Sequence, residues 1–295
     1  MMDNLKEIKK VTKPDWLKVK IKLNKNYRQV SQLVSEHSLN TVCEEARCPN
    51  IYECWDAKTA TIMILGDICT RMCGFCSVKT GKPDQIDKEE PLRVANAVKK
   101  MGLEHIVITS VDRDDLKNDY GASIWAETIK QINNLVPNCS VEVLTPDFKA
   151  HEPSVNKVLK AKPDIFSHNV ETVRRISKLV RPNSDWDRTK KVLQLSIESG
   201  LVTKTGLMVG LGETDEEVLE TMVIMSDIGI NIFNIGQYLQ PTKNHLPVQR
   251  YVHPDLFEYY KNEGYKLGFK VVESGPLVRS SYHAASQSRK FNGYN

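Results

Sequence analysis

The sequence predicts an α/β fold whose core is a partial (β/α)6 barrel of the TIM type. From residue 58 onward, short β-branched runs alternate with longer segments that carry apolar residues at helical spacing. This alternation is typical of βα units around a parallel sheet. It predicts six strands, at residues 59–65, 105–110, 141–145, 165–170, 202–209 and 232–239. It also predicts helices at 89–101, 122–135, 154–160, 173–179, 186–199 and 215–228.

The composition is that of an ordinary globular chain. Of 295 residues, 40% are hydrophobic and 26% are charged, which excludes a disordered or fibrous protein. The net charge is +4, and basic residues are interspersed with acidic ones, so the charge does not indicate nucleic-acid binding. No long apolar run predicts a membrane span, and the basic N-terminus lacks the apolar core of a secretory signal. We therefore expect a cytoplasmic protein without a membrane partner.

The seven cysteines are distributed in a way that indicates metal chemistry. A reducing cytoplasm and an odd count argue against a disulfide framework. Six of the cysteines form two triplets, Cys43, Cys48 and Cys54 in CEEARCPNIYEC, and Cys69, Cys73 and Cys76 in CTRMCGFC. Cys139 stands apart and is predicted to be a small buried residue.

Each group contains three cysteines, and this number indicates which kind of metal centre the group can hold. Thiolates this close in sequence can converge on one metal centre, whereas a structural zinc ion needs four ligands in a spacing that neither triplet fits well. Zinc remains an alternative. An electron-transfer ferredoxin would supply four cysteines per cluster, while three cysteines leave one iron of a four-iron cluster open to another ligand.

The CTRMCGFC segment resembles the CxxxCxxC signature of the radical S-adenosylmethionine family, together with the preceding apolar run TATIMILG and Phe75. GLMVGLGE, at residues 206–213, resembles the glycine-containing fifth-strand motif that supports the adenine in that family. The resemblance implies a cluster on Cys69, Cys73 and Cys76 as catalytic centre. Its open iron would bind S-adenosylmethionine and supply the electron that breaks the carbon–sulfur bond of the sulfonium.

Polar residues follow the predicted strands, where active sites of parallel barrels lie. The segments TSVDRDDL, HNVET, GLGET and GQYLQPTKNH are therefore expected to surround one cleft. Contacts to S-adenosylmethionine are expected from seven residues in total: Thr109, Ser110, Asp112, Asn169, Glu171, Gly210 and Arg279. His168 is expected to be a core or surface histidine without a catalytic role.

The upstream triplet and the C-terminal RSSY, at residues 279–282, resemble the lipoyl synthase family, as do TSVDRDDL, HNVETV and GQYLQPT. The resemblance implies a sulfurtransferase that inserts two sulfur atoms at carbons 6 and 8 of an octanoyl group on a lysine of a lipoyl carrier domain. A second 4Fe–4S cluster, on Cys43, Cys48, Cys54 and Ser281, would be the sulfur donor. A hydroxyl oxygen is a poorer match for iron than a thiolate and should leave more readily. Physics alone does not separate Ser281 from Ser280, and Arg279 is expected to neutralise thiolate charge.

The same resemblance implies the partners. These are octanoylated lipoyl domains of 2-oxo acid dehydrogenase acyltransferase subunits and of the glycine cleavage H protein, an electron donor such as flavodoxin or ferredoxin, and a cluster-delivery protein. Because lipoyl domains are generally acidic, the basic N-terminal residues Lys18, Lys20, Lys22 and Lys25 are a candidate docking surface. We expect three segments, with 1–57 holding the auxiliary cluster motif, 58–272 forming the barrel and 273–295 closing the auxiliary cluster.

Two alternative functions remain open at this point. One is a sulfur-inserting radical enzyme similar to biotin synthase, with a small-molecule substrate. The other is an electron carrier or iron–sulfur scaffold without catalysis, which would leave the three-cysteine groups and the barrel pattern unexplained. Formation of 5′-deoxyadenosine from S-adenosylmethionine separates the radical enzymes from the carrier.

Overall fold

The structure is a computed structural model that describes residues 12–19, 24–57 and 59–291. Its strands are β1 (Asn40–Thr41), β2 (Thr61–Ile64), β3 (Ile68–Cys69), β4 (Lys79–Thr80), β5 (His105–Ser110), β6 (Ser140–Leu144), β7 (Ile165–Ser167), β8 (Val202–Val209), β9 (Ile232–Gln237) and β10 (Val271–Gly275). Its helices are α1 (Lys25–Glu36), α2 (Val42–Glu45), α3 (Ile51–Asp56), α4 (Glu90–Met101), α5 (Ala122–Leu135), α6 (Glu152–Lys160), α7 (Ser177–Val180), α8 (Trp186–Glu198), α9 (Asp215–Asp227), α10 (Pro254–Lys266) and α11 (Ala284–Phe291).

The main sheet follows chain order from one edge to the other. Among the described residues it has eight strands, in the order β1-β2-β5-β6-β7-β8-β9-β10. All neighbours from β2 to β10 pair in parallel, and β1 pairs antiparallel with β2. The six predicted strands are present, with β10 and β1 added at the edges. The predicted class, a partial parallel barrel, is confirmed.

Local sequence signals explain several element boundaries. The TDEE segment starts α9 with a capping box, in which the Thr214 side chain accepts from the Glu217 backbone and the Glu217 side chain accepts in return. Asp185 caps α8 by accepting from the backbone N–H groups of residues 187 and 188. Gly102 ends α4 in the left-handed region, at φ 61°. These caps fix where each helix starts or stops around the sheet.

The structure differs from the predicted elements where the chain turns toward the cavity. The strand predicted at 165–170 ends at Ser167, because the following residues form the cavity wall and Glu171 has a φ of 63°. The helix predicted at 173–179 is a 3₁₀ turn, Arg174–Ile176, followed by the short α7. The sequence did not predict α10 and β10. Polar residues and a glycine interrupt the first, and only two fully buried apolar residues mark the second.

Residues 277–291 run along the barrel from one end to the other. Helix α11 lies against β5 and β10, and Phe291 packs on Ile165, Ile232 and Val271. Those three residues are the first residues of β7, β9 and β10, so Phe291 lies at the amino ends of the strands. No helix in the part of the chain that the structure describes is long and apolar enough to cross a membrane.

Candidate active site

The loop after β2 carries the second cysteine triplet and is held by backbone hydrogen bonds. Leu65 and Gly66, with φ of 68° and 89°, reverse the chain at the end of the strand. The N–H of Gly74 donates to the Val180 carbonyl at 2.8 Å, and the N–H of Gly81 donates to the Cys69 carbonyl at 3.0 Å. The first hydrogen bond attaches the loop to the end of α7, and the second closes the loop on itself, so its conformation is fixed.

The three sulfur atoms of this loop face a cavity of about 480 Å³. The backbone N–H groups of Arg71 and Asp112 each donate to the sulfur of Cys69 at 3.4 Å. Burial raises the pKa of Cys73 to about 12, although the charge of Arg181 opposes the shift, and burial raises that of Cys76 to about 11. Thiolates in such a site need a cationic metal centre to stabilise them.

Arg71, which the sequence analysis missed, joins the cysteine loop to two strand ends. Its guanidinium donates to both oxygens of Asp114 and to Asp147, each at 2.8 Å, and lies 3.1 Å from Asp112. Burial would raise the pKa of Asp147, but Arg71 holds it well below its usual range. Burial raises the pKa of Asp112 to about 6 despite Arg71. An arginine between two cysteines, CTRMC, is the only signal that the sequence offered.

The predicted contacts at the strand ends share the large cavity. Its lining includes Thr109, Ser110, Asp112, Asn169, Glu171 and Arg279. The hydroxyl of Thr109 donates to the Leu144 carbonyl at 2.9 Å, so this hydroxyl forms a hydrogen bond between β5 and β6. Burial raises the pKa of Glu171. His168 is buried, with Nδ1 2.8 Å from the Thr145 carbonyl oxygen, and Cys139 is buried as predicted.

Gly210 is not among the residues that line this cavity, and its contact with the cofactor stays a prediction. An added Cβ at Gly210 would lie 2.2 Å from Nε2 of Gln237 and 2.5 Å from the Arg250 carbonyl oxygen. The close contacts that this glycine permits are therefore with Gln237 and Arg250. Gly206 and Gly236 are the glycines that line the cavity.

The first triplet lies on α2, on α3 and between them. Cys43 is on α2, which Thr41 caps through the backbone N–H of Glu44, and Cys54 is on α3. With Cys48 between the helices, the three cysteines line a second, small cavity together with Arg279, Ser281 and Tyr282. Burial raises the pKa of Cys43 to about 11, while the polar groups of Thr61 and Trp55 beside it oppose the shift. Burial raises the pKa of Cys54, and the neighbouring Cys48 and Cys43 raise it further.

The two serines of RSSY have different surroundings. Ser281 lines the small cavity, whereas Ser280 is absent from its lining. The side-chain oxygen of Ser280 instead accepts from Nδ2 of Asn169 at 2.6 Å. The tertiary structure thus separates two residues that the sequence could not.

The small and large cavities share part of their lining. Cys43, Cys48, Thr61, Arg279 and Ser281 belong to both. The two cysteine triplets therefore line adjacent cavities that have a common wall. No group of three or more His, Cys, Asp or Glu side chains within the described ranges is arranged to hold a single metal ion.

Residues 63–223 match the radical SAM superfamily, so the chain is a radical S-adenosylmethionine protein by family. Residues 2–48 match the N-terminal domain of lipoyl synthase of the radical SAM family. Lipoyl synthase of Rubrobacter xylanophilus is 54% identical over 278 residues, which cover 94% of this chain and 86% of that protein. Lipoyl synthase of Flavobacterium johnsoniae is 51% identical over 273 residues, covering 92% and 94%. The chain belongs to the lipoyl synthase family.

Solved structures at low sequence identity show the same fold. Methylornithine synthase (PylB) matches with a TM-score of 0.55 and 12% identity, over 84% of this chain and 82% of that chain. Streptococcus suis SuiB bound to S-adenosylmethionine matches with a TM-score of 0.60 and 14% identity, over 87% and 64%.

Family membership implies S-adenosylmethionine and 4Fe–4S clusters, and the residues present fit both. Each cavity is lined by one complete cysteine triplet, and thiolates are the ligands that iron–sulfur clusters use. The buried polar atoms without a hydrogen-bond partner in the described structure include Oδ1 of Asn169 and Nε of Arg181, both in residues that line the large cavity. One is an acceptor and the other a cationic donor, which suits a ligand with both a hydroxyl and a carboxylate, as S-adenosylmethionine has.

Proposed function

We propose that this chain is a lipoyl synthase that inserts two sulfur atoms, at carbons 6 and 8, into an octanoyl group on a lysine of a lipoyl carrier domain. The observation that carries the proposal is the pair of adjacent cavities, each lined by one cysteine triplet, with Ser281 in the wall between them. One triplet alone would suffice for hydrogen abstraction. A second sulfur-rich site within reach of the same substrate supports sulfur transfer.

In this proposal Cys69, Cys73 and Cys76 hold the radical cluster, and Cys43, Cys48, Cys54 and Ser281 hold the auxiliary cluster. When bound, the clusters supply the electron that cleaves S-adenosylmethionine at one site and, at the other, sulfide with iron that accepts the electron released on carbon–sulfur bond formation. Each C–H bond is exchanged for a C–S bond, the hydrogen leaves in 5′-deoxyadenosine, and methionine is the other product. A one-electron donor of the iron–sulfur or flavin class supplies one electron per cofactor cleaved.

The chain's own residues orient the reactants. Arg181 is a buried cation beside Cys73 and suits the carboxylate of the methionine portion. Asn169 offers an unpartnered acceptor to a hydroxyl of the same ligand. Apolar residues of the cavity wall provide a dry surface for an acyl chain, among them Met63, Leu144 and Met208. Positioning of the acyl chain against this wall favours abstraction at one carbon over side reactions.

The test is anaerobic reconstitution with iron, sulfide, S-adenosylmethionine, a strong reductant and an octanoyl-lysine peptide. Mass analysis of the acyl chain should show a gain of two sulfur atoms. Formation of 5′-deoxyadenosine without sulfur gain would leave the radical chemistry and reject lipoyl synthesis. No 5′-deoxyadenosine at all would reject every radical-enzyme function.

Partners, location and segments are further parts of this proposal. The substrate is an octanoylated carrier domain, and the thiol-rich sites favour a reducing cytoplasmic location. Segment 1–57 is assigned to the auxiliary cluster, 58–272 to the barrel and 273–295 to its closure, with Ser281 as the link. The family also implies a cluster-delivery protein that rebuilds the donor.

Docking of an acidic carrier domain to the basic N-terminal lysines is proposed as well. Lys18 is exposed and forms an ion pair with Asp15, and Lys25 begins α1. Lys20 and Lys22 lie outside the described residues. Neutralising all four should weaken carrier binding most at low salt, and unchanged affinity across a salt titration would reject this surface.

A further inference from the structure

Residues 277–283, here called the tail segment, cross the carboxyl ends of the strands and carry Ser281. Nδ2 of Asn234, on β9, donates to the Ser280 carbonyl oxygen at 3.1 Å. A Cβ at Gly236 would lie 2.1 Å from the Val278 carbonyl oxygen, so only glycine allows the tail segment to pass this close. The strand end is thus shaped to receive the tail segment.

Asn169 hydrogen-bonds to the tail segment at the wall of the large cavity, which residues 278–281 also line. Its Nδ2 donates to Oγ of Ser280 at 2.6 Å and to Oε1 of Glu171 at 3.2 Å. An ionised carboxylate only accepts, so the contact with Glu171 orients the amide. Oδ1 is then the end without a partner, in a side chain that is 7% exposed and lines the cavity.

One amide therefore has its donor end on the tail segment and its acceptor end available to a ligand. A ligand hydroxyl that donates to Oδ1 polarises the amide and makes Nδ2 a better donor. Such a ligand strengthens the hydrogen bond to Ser280, and by reciprocity a well-held tail segment strengthens binding of that ligand. The hydroxyl-bearing ligand class that fits is a nucleoside.

We propose that Ser280 is a positioning residue that holds Ser281 at the small cavity and, through Asn169, couples this placement to occupancy of the large cavity. The proposal rests on the proposed function, which places a nucleoside cofactor in one cavity and the cluster ligand Ser281 at the other. Its consequence is an order of events. The serine ligand is held most firmly while the cofactor is bound, and is released more easily once the nucleoside product has left.

Hydrogen exchange of the tail segment tests this coupling. The cluster-loaded enzyme is measured anaerobically by mass spectrometry with and without saturating S-adenosylmethionine, and without reductant or carrier substrate, so that no turnover occurs. In the unsubstituted enzyme the cofactor should slow exchange of residues 277–283 by about fivefold, the change expected for one hydrogen bond of ordinary strength. Ser280→Ala should lose most of that response.

Two further variants separate the coupling from a structural effect. Ser274→Ala removes another C-terminal hydroxyl, which donates to the Phe257 carbonyl oxygen at 2.7 Å outside the cavity, and should keep the response. Ser280→Thr retains a hydroxyl and should restore at least part of it. Iron content and melting temperature of all three variants show whether each is folded and loaded.

An unsubstituted tail segment that does not respond to S-adenosylmethionine would overturn the proposal. So would a full response in Ser280→Ala. Because no sulfur transfer is measured, a failure of lipoyl synthesis in the octanoyl-lysine assay is a separate outcome and would leave the exchange result standing.

Discussion

The side-chain amide of Asn50 donates a hydrogen bond of 2.6 Å to the carbonyl oxygen of Leu277, 227 residues further along the chain. Asn50 is 2% exposed and lies between Cys48 and Cys54. This bond fastens the tail segment to the helices that carry the first cysteine triplet. The small cavity therefore depends on contact between residues that are distant in sequence.

Asn50→Ala should weaken that attachment. Leaving the part-buried Leu277 carbonyl without its donor should lower the free energy of unfolding by about 1 kcal/mol. Iron bound at the small cavity should fall, while iron at the second triplet should not, since that loop has its own hydrogen bonds. Denaturant titration and iron analysis measure both effects, with Asn118→Ala, at an exposed asparagine, as the control. Equal loss of iron from both sites would contradict this assignment.

Substitution of single cysteines should separate cleavage of S-adenosylmethionine from insertion of sulfur. Cys43→Ala should still form 5′-deoxyadenosine but insert no sulfur, because the radical site keeps its three ligands. Cys73→Ala should do neither. Cys139→Ala, at a buried cysteine outside both triplets, should retain both activities. Sulfur insertion by Cys43→Ala would exclude the first triplet as the donor site.

Arg71→Met should destabilise the radical-cluster loop. The substitution leaves Asp112, Asp114 and Asp147 without the guanidinium that all three contact, and loss of one partner of a buried ion network costs about 3–5 kcal/mol. Arg174→Met is the control, because its ion pair with Asp187 is exposed and should contribute at most about 1 kcal/mol. Thermal unfolding and iron content report the difference. Similar small losses in both variants would show that Arg71 does not organise the loop.

Trp55→Phe should make the auxiliary cluster harder to reduce. The indole N–H of Trp55 is buried beside Cys43 without a hydrogen-bond partner in the described structure, so it is available to donate to sulfur of a bound cluster. Hydrogen bonds to sulfur stabilise the more negative, reduced cluster. The potential of this cluster should become more negative, and that of the radical cluster should not change. Trp125→Phe is matched, since Trp125 is also fully buried and its indole N–H also has no hydrogen-bond partner within the described chain. Potentiometry with EPR detection distinguishes them, and equal shifts in both variants would refute the assignment.

His168 should contribute a loss of stability between about pH 6.5 and pH 4. Burial lowers its pKa from 6.5 to about 4, so the unfolded chain binds a proton in this range and the folded chain does not. This residue therefore costs the folded state up to about 3 kcal/mol as the pH decreases through that window, while Asp112, whose pKa burial raises to about 6, contributes in the opposite direction. The low pKa of Asp147 adds a further loss only below its usual value of 3.8.

Replacing His168 by Gln should make the slope of the free energy of unfolding against pH less positive between pH 6.5 and pH 4, whatever the absolute cost of the substitution. His253→Gln, at a mostly exposed side chain, should leave the slope unchanged. Urea titrations at four or five pH values measure the slope. An unaltered slope in His168→Gln would show that another group titrates in this range.

The sequence by itself determined the features that short segments encode. A loop of eight residues brings Cys69, Cys73 and Cys76 to one cavity, because close spacing leaves thiolates little freedom to separate. The strand ends that carry Thr109 and Asn169 were predictable since the carboxyl ends of parallel strands always meet at one face. Apolar periodicity was sufficient for the six central strands.

Only the tertiary structure decided which distant residues meet. It brought Ser281 to the small cavity and Ser280 to Asn169, joined Arg71 to Asp147, and located Gly206 and Gly236, rather than Gly210, at the cavity wall. Neighbouring residues such as Ser280 and Ser281 have the same local chemistry and opposite surroundings. Their roles depend on the path of the backbone across the barrel, and that path results from packing over the whole chain.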